Sequence, residues 1–487
     1  MGGHRVSLAG SAARGAATTL GGQWIRFVIQ IVSLAVLARL LVPGDYGIIS
    51  MVTAIVGVAT LLGDFGLSMA SIQSQNLEDG QRSNLFWINT ALGVVLGLLI
   101  FFAAVPIAAF YGRPELVDVA RSLSLVFLFN ALAAQFRAET SRKLRFKWLA
   151  TADVAAQAIA MVLAIALAVL GAGYWALVVQ QITVAFITLV VLVIAAKWLP
   201  GLPTRRVPMR SLLGFGANTM GVQLVNYLSA NVDNILIGRV WGASALGFYD
   251  RAYQIFRLPL MQIAAPMSRV AFPILSRLQN DPAFDKYIQR AQLILSYVMG
   301  GVFFVAAALA EPLIEIVLGP GWNESKAIFR ILAIGGVFQA LGYVYYWVFL
   351  AKAMTGIQLK YAIISRSLMV VFMIVGVFWG PIGVAIGGTA GLILNWVVLT
   401  IFAIPKTGVN VRALVLTAVR PVVTYGIMVG GLLPLSIFVL ADDPAWLQLI
   451  VLVGAILLYW GIIVLVVKPV RADLLLIVDA AKRIRKR

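Results

Sequence analysis

The stretch FYDRAYQIFRLPL, residues 248–260, sets Asp250, Arg251, Gln254 and Arg257 into a segment that is otherwise apolar. Asp250, Gln254 and Arg257 stand at i, i+4 and i+7, one face of a helix at ~3.6 residues per turn. Two more stripes each keep to one helical face: Gln23, Arg26 and Gln30 at i, i+3 and i+7, and Gln223 and Asn226 at i and i+3, followed by Asp233 on the same face. A guanidinium stays charged at any physiological pH and its planar fork matches phosphate oxygens bidentately. Arginines and amides facing one cavity would therefore suit a ligand that carries both phosphate and sugar. Gln339, Tyr343 and Tyr346 could serve sugar hydroxyls, although packing inside a helix bundle is the simpler account of each.

The medium around these stripes is lipid. Of 487 residues 61% are hydrophobic and only 12% charged, against roughly 45–50% and 25% in soluble domains. Fourteen apolar runs between residues 20 and 467 approach the ~20 residues that cross a bilayer. They are continuous rather than alternating, which predicts helices and excludes a membrane β-barrel. The first run, 20–41, contains two arginines and no small-residue cleavage site follows, so it reads as a retained helix. The chain has no cysteine and a single histidine, His4, so thiol chemistry, thiolate metal sites and imidazole catalysis are not expected.

The net charge of +19 is distributed by topology rather than gathered for nucleic acid. With both termini and alternate loops assigned to the cytoplasm, those segments hold 27 of the 38 Lys and Arg residues. The opposite loops hold only Arg39, Arg113, Arg239 and Lys326. This is a steep positive-inside bias, and it predicts a multi-pass membrane protein with both ends cytoplasmic. Such a basic face also attracts anionic membrane lipids.

An internal repeat organises the runs. At a shift of 200 residues Gly21 meets Gly221, Gln23 meets Gln223, Arg39 meets Arg239 and Gly47 meets Gly247. At a shift of 209, FNALAA (129–134) lies over FQALGY (338–343). The expected fold is all-α and polytopic: a six-helix lobe over 1–200, a second over 201–405, and two extra helices with a basic tail over 406–487. An even number of spans per lobe gives both copies the same topology, related by a pseudo-twofold along the membrane normal. The polar stripes place the first, seventh and eighth helices around a cavity at that axis.

Depth separates the candidates. Arg257 lies eleven residues into its span, ~16 Å deep and beyond easy snorkelling. Snorkelling competes at Arg26 and Arg251, and accounts for Arg121, Arg330, Arg366 and Arg420 near helix ends. Asp250 can pair with either arginine, a structural role as natural as a functional one.

The stretches ARLLVPGDYG (38–47), GDFGLSMASIQ (63–73), FYGRPEL (110–116), RKLRFKWLA (142–150) and GYWALVVQQ (173–181) resemble signature segments of the bacterial polysaccharide transporter family. That family includes the O-antigen and colanic-acid flippases of the multidrug/oligosaccharidyl-lipid/polysaccharide superfamily. The likeness is close over the first six helices. The second lobe matches by helix count and by APMSRVAFPILSRLQ (265–279). The resemblance implies a fourteen-helix transporter of an undecaprenyl-pyrophosphate-linked oligosaccharide, of O-antigen, capsule or exopolysaccharide type, and places it in the bacterial inner membrane. It implies polysaccharide polymerase machinery as a partner, and cavity arginines at Arg26, Arg251 and Arg257. It also implies a cation site at Asp233, beside Asn226, but the eleventh helix offers no acid and the twelfth only Asn395. Coupling to sodium, to protons, or to lipid and potential alone therefore stays open, and no cofactor is expected. Two rivals remain. A multidrug exporter of the same fold would want acids at mid-depth, and a membrane polymerase or glycosyltransferase would want a large outer loop or a catalytic pair.

Overall fold

The computed structural model describes residues 2–64, 78–204 and 231–485. Every regular element among them is helical. In chain order these are α1 (Gly2–Leu40), α2 (Pro43–Asp64), α3 (Asp79–Tyr111), α4 (Leu116–Arg142), α5 (Phe146–Val169), α6 (Trp175–Ala196), α7 (Val232–Pro259) and α8 (Ala265–Arg277). They continue as α9 (Phe284–Ala308), α10 (Ala310–Leu318), α11 (Asn323–Ala351), α12 (Thr355–Gly376), α13 (Gly380–Val398), α14 (Val411–Pro434), α15 (Ala445–Val466) and α16 (Lys468–Arg485).

Eleven stretches among the described residues are long and apolar enough to cross a membrane. Residues Thr355–Thr407 form one of them and contain both the eleventh and the twelfth expected spans, as α12 and α13. The end of the second expected span (46–72) and most of the seventh (211–238), with Gln223 and Asn226, lie outside the described residues. The expected span 246–268 crosses α7, the π-helical stretch Leu260–Ala264 and α8, and the expected span 291–318 is divided between α9 and α10; each other remaining span lies on one helix, two of them with a π-helical end. A backbone in hydrocarbon must satisfy its own hydrogen bonds, and a helix does so within one segment.

The chain separates into two compact units, Met1–Gly247 and Phe248–Arg487. In the first unit α5 sets Ala152, Ala156, Ala160, Ala164 and Ala168 on one buried face at steps of four. Small side chains let helices approach where lipid offers no hydrophobic drive, and α5 accordingly packs against α1 and α6. At one end of this unit a strap of loop closes onto α3. Ser83 accepts from the Gly201 N–H at 3.0 Å, Trp87 donates to the Gly201 carbonyl at 2.8 Å, and the Asn84 amide makes two 2.7 Å bonds with the Thr204 backbone. Trp198 stacks under the Arg82 guanidinium at 4.3 Å. Arg82 and Lys143 converge on the buried Glu139 at 2.7 and 2.8 Å, and Arg145 caps the α6 C-terminus through the Ala195 carbonyl at 2.7 Å. Cationic caps of this kind oppose the partial negative charge of a helix C-terminus.

At the opposite end, α7 bends at Gly242, whose φ of 82° is open to glycine and strained for other residues. The backbone of Ala243 here lies directly on Gly47, and that of Pro43 on Gly247.

The second unit contains the C-terminal half of α7 and α8–α16. A short π-helical stretch, Leu260–Ala264, joins α7 to α8. Pro259 and Pro266 flank it and withhold two N–H donors from the helical ladder. Gly376, Gly383, Gly387 and Gly391 bring α12 and α13 into backbone contact. Two arginines expected to snorkel are instead ion-paired: Arg330 with Glu311 at 2.7 Å, and Arg420 with Asp473 at 2.7 Å. Their partners lie 19 and 53 residues away, beyond the reach of local pattern.

Candidate functional site

The C-terminal half of α7 has two faces. Tyr249, Ala252, Phe256 and Leu260 form a fully buried row. Asp250, Gln254 and Arg257 run along a second row that is partly open, Arg257 being exposed. Phe256 is seated against Gly336 of α11, where a side-chain carbon would stand 2.8 Å from its ring. Phe303 of α9 closes the same seat, its ring 5.7 Å from that of Phe256. A glycine on α11 thus lets α7 approach closely, and the adjoining Arg257 is turned outward.

Arg257 lies over the ring of Tyr253, one turn back, at 5.8 Å, within reach of a cation–π attraction. Among the described residues it has no ion-pair partner. Across from it, Tyr343 on α11 lies within electrostatic reach of both Arg257 and Tyr346. Gln339, Gly342 and Tyr343, half-buried, and Tyr346, exposed, make up a stripe at i, i+3, i+4 and i+7, while Ala340, Leu341, Val344 and Tyr345 are buried. Packing in the bundle therefore uses the other face of α11, and the amide and tyrosines are left available.

The remaining charges are arranged differently. Asp250 pairs with its neighbour Arg251, which donates from Nε at 3.2 Å and from Nη2, so this carboxylate does not neutralise Arg257. The Oε1 of Gln254 is buried without a hydrogen-bond partner, an arrangement that is costly unless a donor arrives.

In the first unit, Gln23 and Arg26 are exposed on α1 and Gln30 is half-buried. Arg26 stands 3.9 Å from Asp153 of α5, which Arg137 holds at 2.8 Å. Ser33, one turn beyond Gln30, accepts from Gln180 of α6 at 2.9 Å. Asp233 is buried in the first turn of α7 and accepts the Asn234 N–H at 2.9 Å. Asn226, its expected companion, lies outside the described residues.

Sequence reasoning passed over Tyr253, Asp153 and Gly336. The i, i+4 spacing of Tyr253 and Arg257 was a usable signal. Asp153 lies 127 positions from Arg26 and Gly336 lies 80 from Phe256, so only folding pairs them. Three of the segments that carry the family likeness make structural contacts. Asp45 of PGDYG accepts the Val42 N–H at 3.1 Å and lies against Gly173 of GYW. Lys143 and Arg145 of RKLRF tie down the opposite end.

A family profile described as polysaccharide biosynthesis protein matches residues 36–327. The chain is 25% identical over 402 residues to the lipopolysaccharide biosynthesis protein WzxC of Escherichia coli K12, covering 79% of this chain and 80% of that protein. It is 30% identical over 319 residues to the teichuronic acid biosynthesis protein TuaB of Bacillus subtilis 168, covering 64% of this chain and 66% of that one. Among solved structures it matches the lipid II flippase MurJ in its inward closed conformation, with a TM-score of 0.68 at 14% identity, over 92% of this chain and 98% of that one.

Proposed function

Because the chain belongs to the polysaccharide biosynthesis protein family and has the fold of a membrane flippase, we propose that it moves a lipid-linked oligosaccharide across the bacterial cytoplasmic membrane by alternating access. The cargo is a glycan repeat unit, of O-antigen, capsule or exopolysaccharide type, joined to undecaprenyl pyrophosphate. The observation that carries this reading is Arg257: a guanidinium in a membrane-spanning helix, exposed, without a carboxylate, and beside Tyr253 and Tyr343.

A charge in a membrane span is expensive unless it meets water or a counter-ion. Pyrophosphate supplies the counter-ion, and the guanidinium fork fits its oxygens. Tyr343 and Tyr346 supply donors and aromatic faces for sugar rings, and Gln254 supplies an acceptor for a sugar hydroxyl. In the first unit, Arg26 is by itself a candidate for phosphate contact. Its 3.9 Å pair with Asp153 is loose and about half exposed, a kind of pair worth only ~0–1 kcal/mol, so a phosphate can compete for it. Arg251 is held more firmly by Asp250 and acts in orienting the site.

Transport rather than catalysis is the reading, because the one carboxylate of the polar row, Asp250, is held by Arg251 and the rest of the row is a cation and a neutral amide. A multidrug exporter is disfavoured by the sign of the charge at Arg257. Both termini and the 197–204 strap are assigned to the cytoplasmic side from the distribution of Lys and Arg. Asp233 is assigned to cation or proton coupling from its burial within a polar turn.

The test is flipping of a labelled pyrophosphate-linked glycolipid in proteoliposomes. Loss of a charge-assisted contact costs ~1.5–3 kcal/mol, so Arg257→Ala should lower substrate affinity roughly ten- to hundredfold. Arg257→Lys should recover only part of it, because an ammonium lacks the fork. Arg366→Ala, which removes an exposed arginine of α12, should flip at the parent rate. Wild-type flipping by Arg257→Ala would refute the assignment.

A further inference from the structure

The last helix, α16, starts two residues after the final span ends, with Val467 extended between them. It therefore leaves the bundle at the membrane boundary. Its position is fixed by one buried carboxylate: Asp473 accepts from Arg420 through both oxygens, at 2.8 and 2.7 Å, and from the Tyr297 hydroxyl at 3.1 Å. Around this clamp lies a knot of amphipathic rings. Tyr425 and Trp460 are 4.8 Å apart, Tyr297 and Tyr425 are 6.4 Å apart, and Tyr459 donates to the Thr424 carbonyl at 2.6 Å. Tyrosine and tryptophan concentrate at the level of lipid headgroups, because one part of each ring system wants hydrocarbon and another wants water. Of these rings Tyr459 and Trp460 lie within two turns of the end of α15, at the boundary from which α16 starts.

Beyond the clamp α16 is amphipathic. Val470, Leu474, Ile477 and Val478 fall on one side at i, i+4, i+7 and i+8, and Lys468, Arg471, Asp479 and Lys482 on the other. Val470 is buried, whereas Val478 at one edge of the apolar side, Leu476 between Asp473 and Asp479, and Leu475 among the cations are exposed by 47%, 52% and 55%. The sequence then adds Arg483, Arg485, Lys486 and Arg487. Asp473 is neutralised by Arg420, which leaves Asp479 as the only other acid against seven cations between 468 and 487. An exposed apolar edge, dense positive charge and an origin at the aromatic level specify an anionic bilayer surface: acyl chains for Val478, phosphodiester headgroups for the cations.

We propose that α16 lies in the membrane interface and binds anionic phospholipid headgroups, with Asp473 as the hinge pin that holds it to α9 and α14. The site is separate from the Arg257 row and does not depend on what is transported. The long arm of cations recruits lipid of one sign to the rim of the bundle.

Because the native chain lacks cysteine, the full protein can carry a single environment-sensitive fluorophore at Val478→Cys or, on the polar side, at Asp479→Cys. Each is placed in nanodiscs of phosphatidylcholine alone or with phosphatidylglycerol, both containing spin-labelled acyl chains. The expected result is strong quenching at 478 in the phosphatidylglycerol discs, weaker quenching there in phosphatidylcholine, and little at 479 in either. Replacing Lys482, Arg483, Arg485, Lys486 and Arg487 with glutamine should abolish the difference between discs. It should also lower several-fold the phosphatidylglycerol retained on the protein by native mass spectrometry, with an unchanged size-exclusion profile. Equal quenching in both lipids, absence of quenching at 478, retention unaffected by the glutamine variant, or cross-linking of 478 to a second copy would each overturn the proposal.

Discussion

Gly47 lies directly on the backbone of Ala243, and the same contact recurs with roles exchanged, Gly247 on the backbone of Pro43. A shift of 200 residues converts one pair into the other. Gly44 faces the Ser244 hydroxyl oxygen, its own equivalent at that shift, 3.4 Å from where a side-chain carbon would stand. Reciprocal contact of this kind is what a local twofold requires. The match of Gly47 with Gly247 is thus explained by space, since neither position has room for a methyl group.

Gly47→Ala and Gly247→Ala should each destabilise the protein by about 1–3 kcal/mol, the cost of overpacking. The double variant should cost less than the sum, because one breach opens the shared contact. Thermal unfolding in detergent measures both. Gly356→Ala on α12, where a side chain meets open space, should be neutral or slightly stabilising.

Gly336→Ala should act on the site through Phe256. A methyl there would press the Phe256 and Phe303 rings, pushing α7 away and moving Arg257 from its tyrosines. We expect transport to fall several-fold while the size-exclusion profile is kept. Substrate affinity should fall with it, because the binding group is displaced. Full affinity in Gly336→Ala would show that Arg257 does not depend on this seat.

Arg420→Ala should be more damaging to stability than Arg366→Ala. It strips the buried Asp473 of its cation, where a lost charged hydrogen bond costs about 1.5–3 kcal/mol. Limited proteolysis should then cut within 468–485 faster than in the parent protein. Asp473→Asn, which retains one acceptor for Tyr297, should be milder.

Asp233→Asn should remove the dependence of transport on an ion gradient while substrate still binds, measured in proteoliposomes with imposed sodium or proton gradients. Equal sensitivity before and after the change would assign coupling elsewhere. Orientation is checked by Thr204→Cys, an exposed position on the strap. It should resist an impermeant thiol reagent in intact cells and react after lysis.

Asn84→Ala should release the strap without unfolding α3. Hydrogen exchange at the Thr204 amide, now bonded to the Asn84 side chain at 2.7 Å, should accelerate. The Gly201 amide, held by Ser83, should respond less.

The membrane class, the helical fold, the repeat and the polar row of α7 were determined by sequence alone, because each is a periodic or compositional property. A bilayer demands apolar runs of fixed length, and a helix sets Asp250, Gln254 and Arg257 on one face whatever surrounds it. Pairing was decided only by tertiary structure. Arg26, Arg257, Arg330 and Arg420 are alike as arginines among apolar residues, yet three meet carboxylates and Arg257 meets aromatic rings. Asp250 had two arginines within reach and took the adjacent one. Gln339, Tyr343 and Tyr346 share one face by spacing alone, but that this face is the less buried side of α11 is decided by packing. Partners separated by 19 to 127 positions are chosen by how helices pack, and packing here turns on small residues such as Gly47, Gly247 and Gly336. Their role is set by the atoms that approach them, which no local pattern records.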